Sequence, residues 1–262
     1  KQAAERKVGF DGVAIDLRHL GEQPDGLVGL LIEQIIEPLE IAVAQLAAAA
    51  LFAVPGRDAG GTPAQPCRQR QQEDQQDFTY EVTWNTLGEY LQHLEDRGVS
   101  TNVTSFVGNG TLRQYVMGYE NRPPAPEEMN RIKELLKESM EEGAVGLSTS
   151  LLYVPSGHAS TEEIIGLARV ASDYGGMYIS HVRNEEDSLL YSIRELIQIA
   201  ETADIRSEVY HFKASGQDNW HLLDSAITLI EQARDRGLHI TTDMYMYNAS
   251  STGLNVLLPA WA

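Results

Sequence analysis

Apolar positions along this chain follow two different patterns, and the change falls near position 78. From there onward, short apolar runs of strand character alternate with longer segments of helical period. Residues 86–97 read as a helix, and 101–107 as a strand that ends in GNGTLR. A helix over 127–142 follows, with Pro126 in its first turn and Gly143 just past its end. AVGLST predicts a strand at 144–149. After a loop, Ser160 opens a helix, and Glu163 three residues on marks a capping box. The next strand ends at His181, and a helix covers about 188–202. The strand after it ends at His211, a helix covers about 220–236, and LHITTD forms a further strand leading into MYMY.

Strands recur every ~30–35 residues, the length of a βα unit, which predicts a parallel sheet with covering helices. An open doubly wound sheet would alternate in the same way, but its Gly-rich phosphate turn is missing; GNGTL after Val107 is a partial echo. The pattern therefore predicts an α/β fold of the TIM-type barrel kind, present in part.

Residues 1–78 behave differently. They contain the Ala-rich run AVAQLAAAALFAV, the Gly/Pro-rich VPGRDAGGTPAQP and the polar RQRQQEDQQD. A short strand is expected within 8–17, one or two helices within 27–54, and loop or disorder over 55–77. This segment reads as atypical, disordered or misread, and 79–262 as the barrel portion. The aliphatic stretch 27–54 is broken by Glu33, Glu37, Glu40, Gln45 and Pro38, so no membrane span is expected there. The chain opens on KQAAERK without an apolar signal segment and closes on LLPAWA, and both ends read as cut.

Composition narrows the partners. The formal net charge of −18 over 262 residues argues against nucleic acid, whose phosphates would be repelled. The one cysteine, Cys67, excludes an intramolecular disulfide framework and fits a reducing, cytoplasmic setting.

The chemistry concentrates at two histidines. In a parallel barrel, side chains at the C-terminal ends of strands converge on one face. His181 and His211 close successive strands there and are each followed two positions on by a base, Arg183 and Lys213. Two imidazoles so delivered suit a transition metal, zinc first, with further ligands coming from elsewhere. Lys213 reads either as a point charge for a substrate carboxylate or as a rim lysine paired with a carboxylate. Arg183 and Glu185 read either as an ion pair steadying the ligands or as solvated helix-start residues. Tyr153, Tyr245 and Tyr247 lie after strands, as donors to a developing oxyanion or as packing residues. Asp243 reads as a ligand, a base or a helix cap. His158 lies beyond Tyr153 in the same loop, whereas His93, His221 and His239 read as surface or packing residues. Cys67 has no strand before it and reads poorly as a ligand.

At these residues the chain resembles the N-acyl-D-amino-acid deacylase (D-aminoacylase) family of the amidohydrolase superfamily. The pieces that carry the resemblance run in order: TWNTLGEYLQHLE, NVTSFVGNGTLR, GAVGLSTSLLYVPSGHASTEEIIGLA, YGGMYISHVRNEED, VYHFKASG, and TTDMYMYNASSTGL with LLPAWA. The resemblance implies a metal-dependent amidohydrolase barrel that uses zinc to hydrolyse the amide of a small-molecule N-acyl-D-amino acid. It implies His181 and His211 as metal ligands. It also implies Lys213, Tyr153 and Tyr245 as site residues, with Arg183 and Tyr247 at the substrate.

The departures are specific. No His-x-His pair occurs in the chain, Cys67 in AQPCRQR lacks the family's context, and Asn109 stands where relatives carry a histidine in GHGTLR. The family's catalytic aspartate would lie beyond Ala262. Impaired turnover is therefore expected of this chain. The alternatives are a cyclic-amide (dihydroorotase-like) hydrolase and a non-catalytic amidohydrolase fragment.

Overall fold

Five parallel strands laid side by side in the order in which the chain makes them, joined by helices, hold the site. The computed structural model describes residues 9–10, 13–14, 83–247, 249 and 252. The chain divides into two units, Lys1–Leu46 and Ala47–Ala262. In the first, β1 (Gly9–Phe10) and β2 (Val13–Ala14) pair antiparallel, so the single strand expected within 8–17 is two short ones. The helices expected within 27–54 and the loop expected over 55–77 lie outside the described residues.

In the second unit, α1 (Leu87–Arg97) starts where the Thr86 hydroxyl accepts a bond from the Glu89 N–H at 3.2 Å. Next come β3 (Val107–Gly108), α2 (Asn109–Met117) and α3 (Pro126–Glu141). They lead to β4 (Gly146–Ser150), α4 (Thr161–Asp173), β5 (Met177–His181) and α5 (Leu189–Ala203). The series closes with β6 (Arg206–Val209), α6 (Leu223–Asp235) and β7 (Ile240–Thr242). Short 3₁₀ segments precede α4 (Ser156–His158) and α6 (Gln217–Leu222). No helix among the described residues is long and apolar enough to cross a membrane.

The sheet order is β3-β4-β5-β6-β7, and every neighbouring pair is parallel. A doubly wound sheet reverses its strand order at a switch point. This one never does. Strands added always on the same side, with helices between them, are part of a β/α barrel.

Three local expectations need correction. The segment 101–107 is strand only at its end, and within GNGTLR the chain passes from β3 at Gly108 into helix α2 at Asn109. The Ser160 hydroxyl caps α4 through the Glu163 N–H at 3.2 Å, but the Glu163 carboxylate does not complete the box. It turns instead to the guanidinium of Arg113 at 2.6 and 2.7 Å. The strand before His211 stops at Val209, two residues short of the histidine.

Strand alternation decides which residues meet the core. Along β5, Tyr178 and Ser180 are buried, while Met177, Ile179 and His181 on the other face are half-buried. Tyr178 and Ser180 both meet the Thr149 hydroxyl, at 2.8 and 2.9 Å, which ties β4 to β5 on the buried side. Leu147, Val209 and Ile240 join the same core as Leu167 and Ile164 of α4 and Ile193 and Leu196 of α5. The β4–β5 approach tolerates no side chain at Gly146, where a Cβ would lie 1.9 Å from the Met177 carbonyl oxygen. Because that obstacle is backbone, Gly146→Ala is expected to cost about 3 kcal/mol or more, at the upper end of overpacking penalties. Urea unfolding checks this, and an unchanged midpoint would contradict it.

Candidate metal centre

β5 carries His181 to its C-terminal end, and the chain beyond β6 carries His211 to the same place. Their rings lie 4.5 Å apart between centroids, and His181 Nδ1 is 2.8 Å from His211 Nε2. The predicted convergence of the two imidazoles is what the geometry contains.

His211 reaches that position through an uncommon backbone. Its φ of 39° lies in the left-handed region, disfavoured for a residue with a Cβ. Asp243, just past β7, holds it there: its carboxylate accepts the His211 N–H, and its carbonyl accepts the Phe212 N–H at 2.9 Å. The structure gives Asp243 a role outside the three read from the sequence, that of a backbone anchor fixing the turn that aims His211.

Glu185 is the member that sequence reasoning underweighted. Its Oε1 lies 3.0 Å from His211 Nδ1, 3.9 Å from His181 Nδ1 and 2.7 Å from Lys213 Nζ. His181, Glu185 and His211 each offer a ligand atom, all within 4.8 Å of one another. The available signal was its position four residues past His181, but no fixed spacing links a strand-end ligand to a residue in the following loop.

The protonation pattern suits a cation. Burial pushes the His181 imidazolium down to about 4, and the nearby Glu185 charge only partly counters this, so the ring is neutral at neutral pH. Burial also raises Glu185, but hydrogen bonds from His211 and Lys213 outweigh it and hold the carboxyl below its usual range. His181 Nε2 is buried with no hydrogen-bond partner. If His211 Nδ1–H donates to Glu185, then His211 Nε2 accepts from His181 Nδ1–H, and His181 Nε2 presents a lone pair to nothing. An orphaned buried nitrogen beside a second imidazole and a carboxylate fits a divalent metal that takes N and O donors.

Lys213 shows the carboxylate pairing that its position left open. Besides Glu185, Nζ lies 2.8 Å from His211 Nδ1 and 3.0 Å from the His211 carbonyl oxygen, with the Tyr245 ring centre 5.4 Å away. Tyr245 lies 6.4 Å from the His211 ring and 6.3 Å from Tyr247, which is half exposed. Tyr153 lies 5.3 Å from the His181 ring, and its hydroxyl meets Thr252 Oγ1 at 2.8 Å.

Arg183 does not behave as expected. It pairs with Glu195 rather than Glu185, and all three guanidinium nitrogens meet protein acceptors. Asn109, the first residue of α2, is fully buried; its Oδ1 accepts from Ser156 Oγ at 3.0 Å. His158 lies in the turn before α4, and His93 stacks on Trp84 at 4.7 Å.

No protein-family model matches the chain. Individual relatives do. D-aminoacylase from Alcaligenes xylosoxydans xylosoxydans is 35% identical over 168 residues, covering 64% of this chain and 34% of the relative. N-acyl-D-glutamate deacylase from the same organism is 33% identical over 170 residues, 65% of this chain and 34% of the relative. The chain thus spans about a third of the length of the curated relatives it matches. A crystal structure of D-aminoacylase, described as defining a subset of amidohydrolases, superposes with a TM-score of 0.63 at 28% identity. That match covers 75% of this chain and 39% of the other. N-acyl-D-glutamate deacylase from Bordetella bronchiseptica, solved with zinc and a phosphonate inhibitor, gives a TM-score of 0.61 at 29% identity, over 64% and 36%. In sequence and in fold, then, the chain is homologous to the N-acyl-D-amino-acid deacylase (D-aminoacylase) family of the amidohydrolases over about two thirds of its own length.

Proposed function

We propose that His181, Glu185 and His211 hold a divalent metal ion, zinc by the chemistry of the donors, and that the protein hydrolyses the amide of N-acyl-D-amino acids. The observation that carries this reading is the buried, unpartnered His181 Nε2 beside a second imidazole and a carboxylate. Two imidazoles and a carboxylate are a donor set zinc uses in hydrolytic sites, with a coordination position left open. The Bordetella relative was crystallised with zinc, which supports the same choice here. When bound, zinc supplies Lewis acidity toward the acyl carbonyl.

The chain's own residues supply the rest. Lys213 offers its ammonium to the substrate carboxylate, exchanging part of its bond to Glu185, while the Tyr245 ring keeps it over the site. Tyr153 beside His181 and Tyr245 beside His211 donate their hydroxyls to the oxygen on which charge develops. Tyr247, half exposed with its ring 6.3 Å from that of Tyr245, completes the substrate-binding residues. Glu185 accepts from His211 Nδ1 and so fixes the ring's orientation. A small anionic substrate fits one local ammonium, whereas a net charge of −18 opposes a nucleic-acid partner. Reduced turnover is part of this reading, because the His-x-His pair that the resemblance implies does not occur in these 262 residues. A cytoplasmic setting is supported by the single cysteine.

The test is release of free D-amino acid from N-acetyl-D-methionine and N-acetyl-D-glutamate by the zinc-loaded chain, with the L-isomers and dihydroorotate as controls. Slow, D-selective release is expected. Absence of release, or preference for dihydroorotate, would overturn the reading. In the same assay Lys213→Met is expected to raise KM by roughly 10–100-fold, the worth of one charge-assisted hydrogen bond, with metal content retained. Loss of metal instead would reduce Lys213 to a partner of Glu185.

A further inference from the structure

We propose that Arg183 is a positioning residue, which with Glu195 clamps the loop 151–159 and thereby sets where Tyr153 stands against His181. The guanidinium meets Glu195 through two nitrogens, Nε at 3.0 Å and Nη2 at 2.9 Å. Nη1 donates to the Gly157 carbonyl at 2.9 Å, and Nη2 also donates to the Ala159 carbonyl at 3.0 Å. The Glu195 side chain is only 4% exposed, and its Oε1 also accepts from the Thr161 hydroxyl at 2.8 Å. One ion pair therefore joins the end of β5, the interior of α5, the start of α4 and the loop after β4.

The path from the clamp to Tyr153 is short. Gly157, whose carbonyl Arg183 holds, donates its own N–H to the Tyr153 carbonyl at 2.7 Å. The turn is too tight for any other residue at 157, since a Cβ there would lie 2.8 Å from the Leu151 carbonyl oxygen. At the loop's other end the Leu151 N–H donates to the His181 carbonyl at 3.0 Å. The loop is thus fastened to the strand that bears His181 at one end and to Arg183 at the other. Tyr153 lies between, its ring 5.3 Å from the imidazole.

Lysine cannot replace this arrangement. A single ammonium can pair with Glu195, but it cannot also serve two carbonyls in the plane of a rigid fork. That makes Arg183→Lys the informative variant, because it keeps a charge opposite Glu195, whereas truncation would strand a buried carboxylate. The pair Arg183→Gln with Glu195→Gln removes both charges together and serves if the lysine variant does not fold.

Hydrogen exchange on the full chain reads the clamp directly. In Arg183→Lys, amides of 152–160 are expected to lose about tenfold or more of their protection, with those of α5 unchanged. Unchanged protection in the loop, or equal loss throughout, would overturn the proposal.

The effect on turnover rests on the hydrolase reading and is measured in the zinc-loaded chain. Arg183→Lys is expected to lower kcat about tenfold while KM changes less than about twofold, as misplacement of a transition-state contact does. In a Tyr153→Phe background it should have almost no further effect. Additive losses would mean that Arg183 does not act through Tyr153. If the unmodified chain shows no turnover, the hydrolase reading fails, and loop protection alone decides whether the clamp exists.

Discussion

Replacing His181 or His211 with alanine is expected to abolish metal uptake by the chain. Each substitution removes one of two imidazoles in a three-residue donor set. Affinity should therefore fall by more than the roughly 10–100-fold lost when a residue that only orients a ligand is removed. Equilibrium dialysis against zinc reads this as a drop from near-stoichiometric binding to background. The folding cost is expected to run the other way. His181 Nε2 is a buried atom without a partner, and such atoms cost about 1–3 kcal/mol. His181→Ala relieves that penalty while losing ring packing, so the metal-free variant should unfold within about 1 kcal/mol of the parent. A variant that kept its zinc would remove His181 from the site. Dialysis on Asp243→Ala would further separate aim from ligation, since that carboxylate holds the His211 backbone amide.

The largest stability effect is expected away from the rim, at Arg113 and Glu163. Their side chains are 0% and 5% exposed, and one guanidinium nitrogen lies 2.6 and 2.7 Å from the two carboxylate oxygens. The other terminal nitrogen donates to the Arg122 carbonyl at 2.9 Å, so the pair also holds the chain that leads from α2 into α3. Glu163→Ala would leave a fully buried guanidinium without its counter-charge, a defect that costs about 3–5 kcal/mol. For a domain of this size that corresponds to a fall in Tm of roughly 6–20 °C. Replacing both residues with methionine should recover most of the loss, because the ion pair's attraction largely offsets its desolvation. Thermal unfolding of the single and double variants checks both statements. A single-variant loss below about 1 kcal/mol, the range of surface ion pairs, would show that water reaches this pair.

Where sequence and structure agree, the responsible forces are local. The alternation in MYISH delivers His181 to the end of β5 because strand periodicity needs only neighbouring residues to express itself. Ser160 begins α4 and Pro126 begins α3 for equally local reasons, an acceptor for a free N–H and a preset φ. The disagreements are all made at a distance. GNGTLR carries two glycines and an asparagine, a poor helix start, yet α2 forms where Leu112 and Met117 enter the core and Arg113 finds Glu163 fifty positions on. Glu163 leaves its own helix cap for the same partner. β6 ends early because Asp243, on the following unit, pins His211 in a left-handed turn that no pattern within SEVYHFK announces. The sequence around Arg183 suggests only a pairing with Glu185 or a solvated helix start. Only the fold brings Glu195 and the two loop carbonyls to it. The imidazole pair was thus readable from strand ends, whereas the residues that orient it were not.

X-ray absorption at the zinc edge, on the chain loaded with one equivalent of zinc, tests the central claim most directly. The account predicts a low-coordinate nitrogen/oxygen shell at about 2.0–2.1 Å with the multiple-scattering signature of two imidazoles, a signature lost together with the bound metal in His211→Ala. A shell of oxygen alone, or one unchanged by that substitution, would mean that His181 and His211 do not share a metal ion.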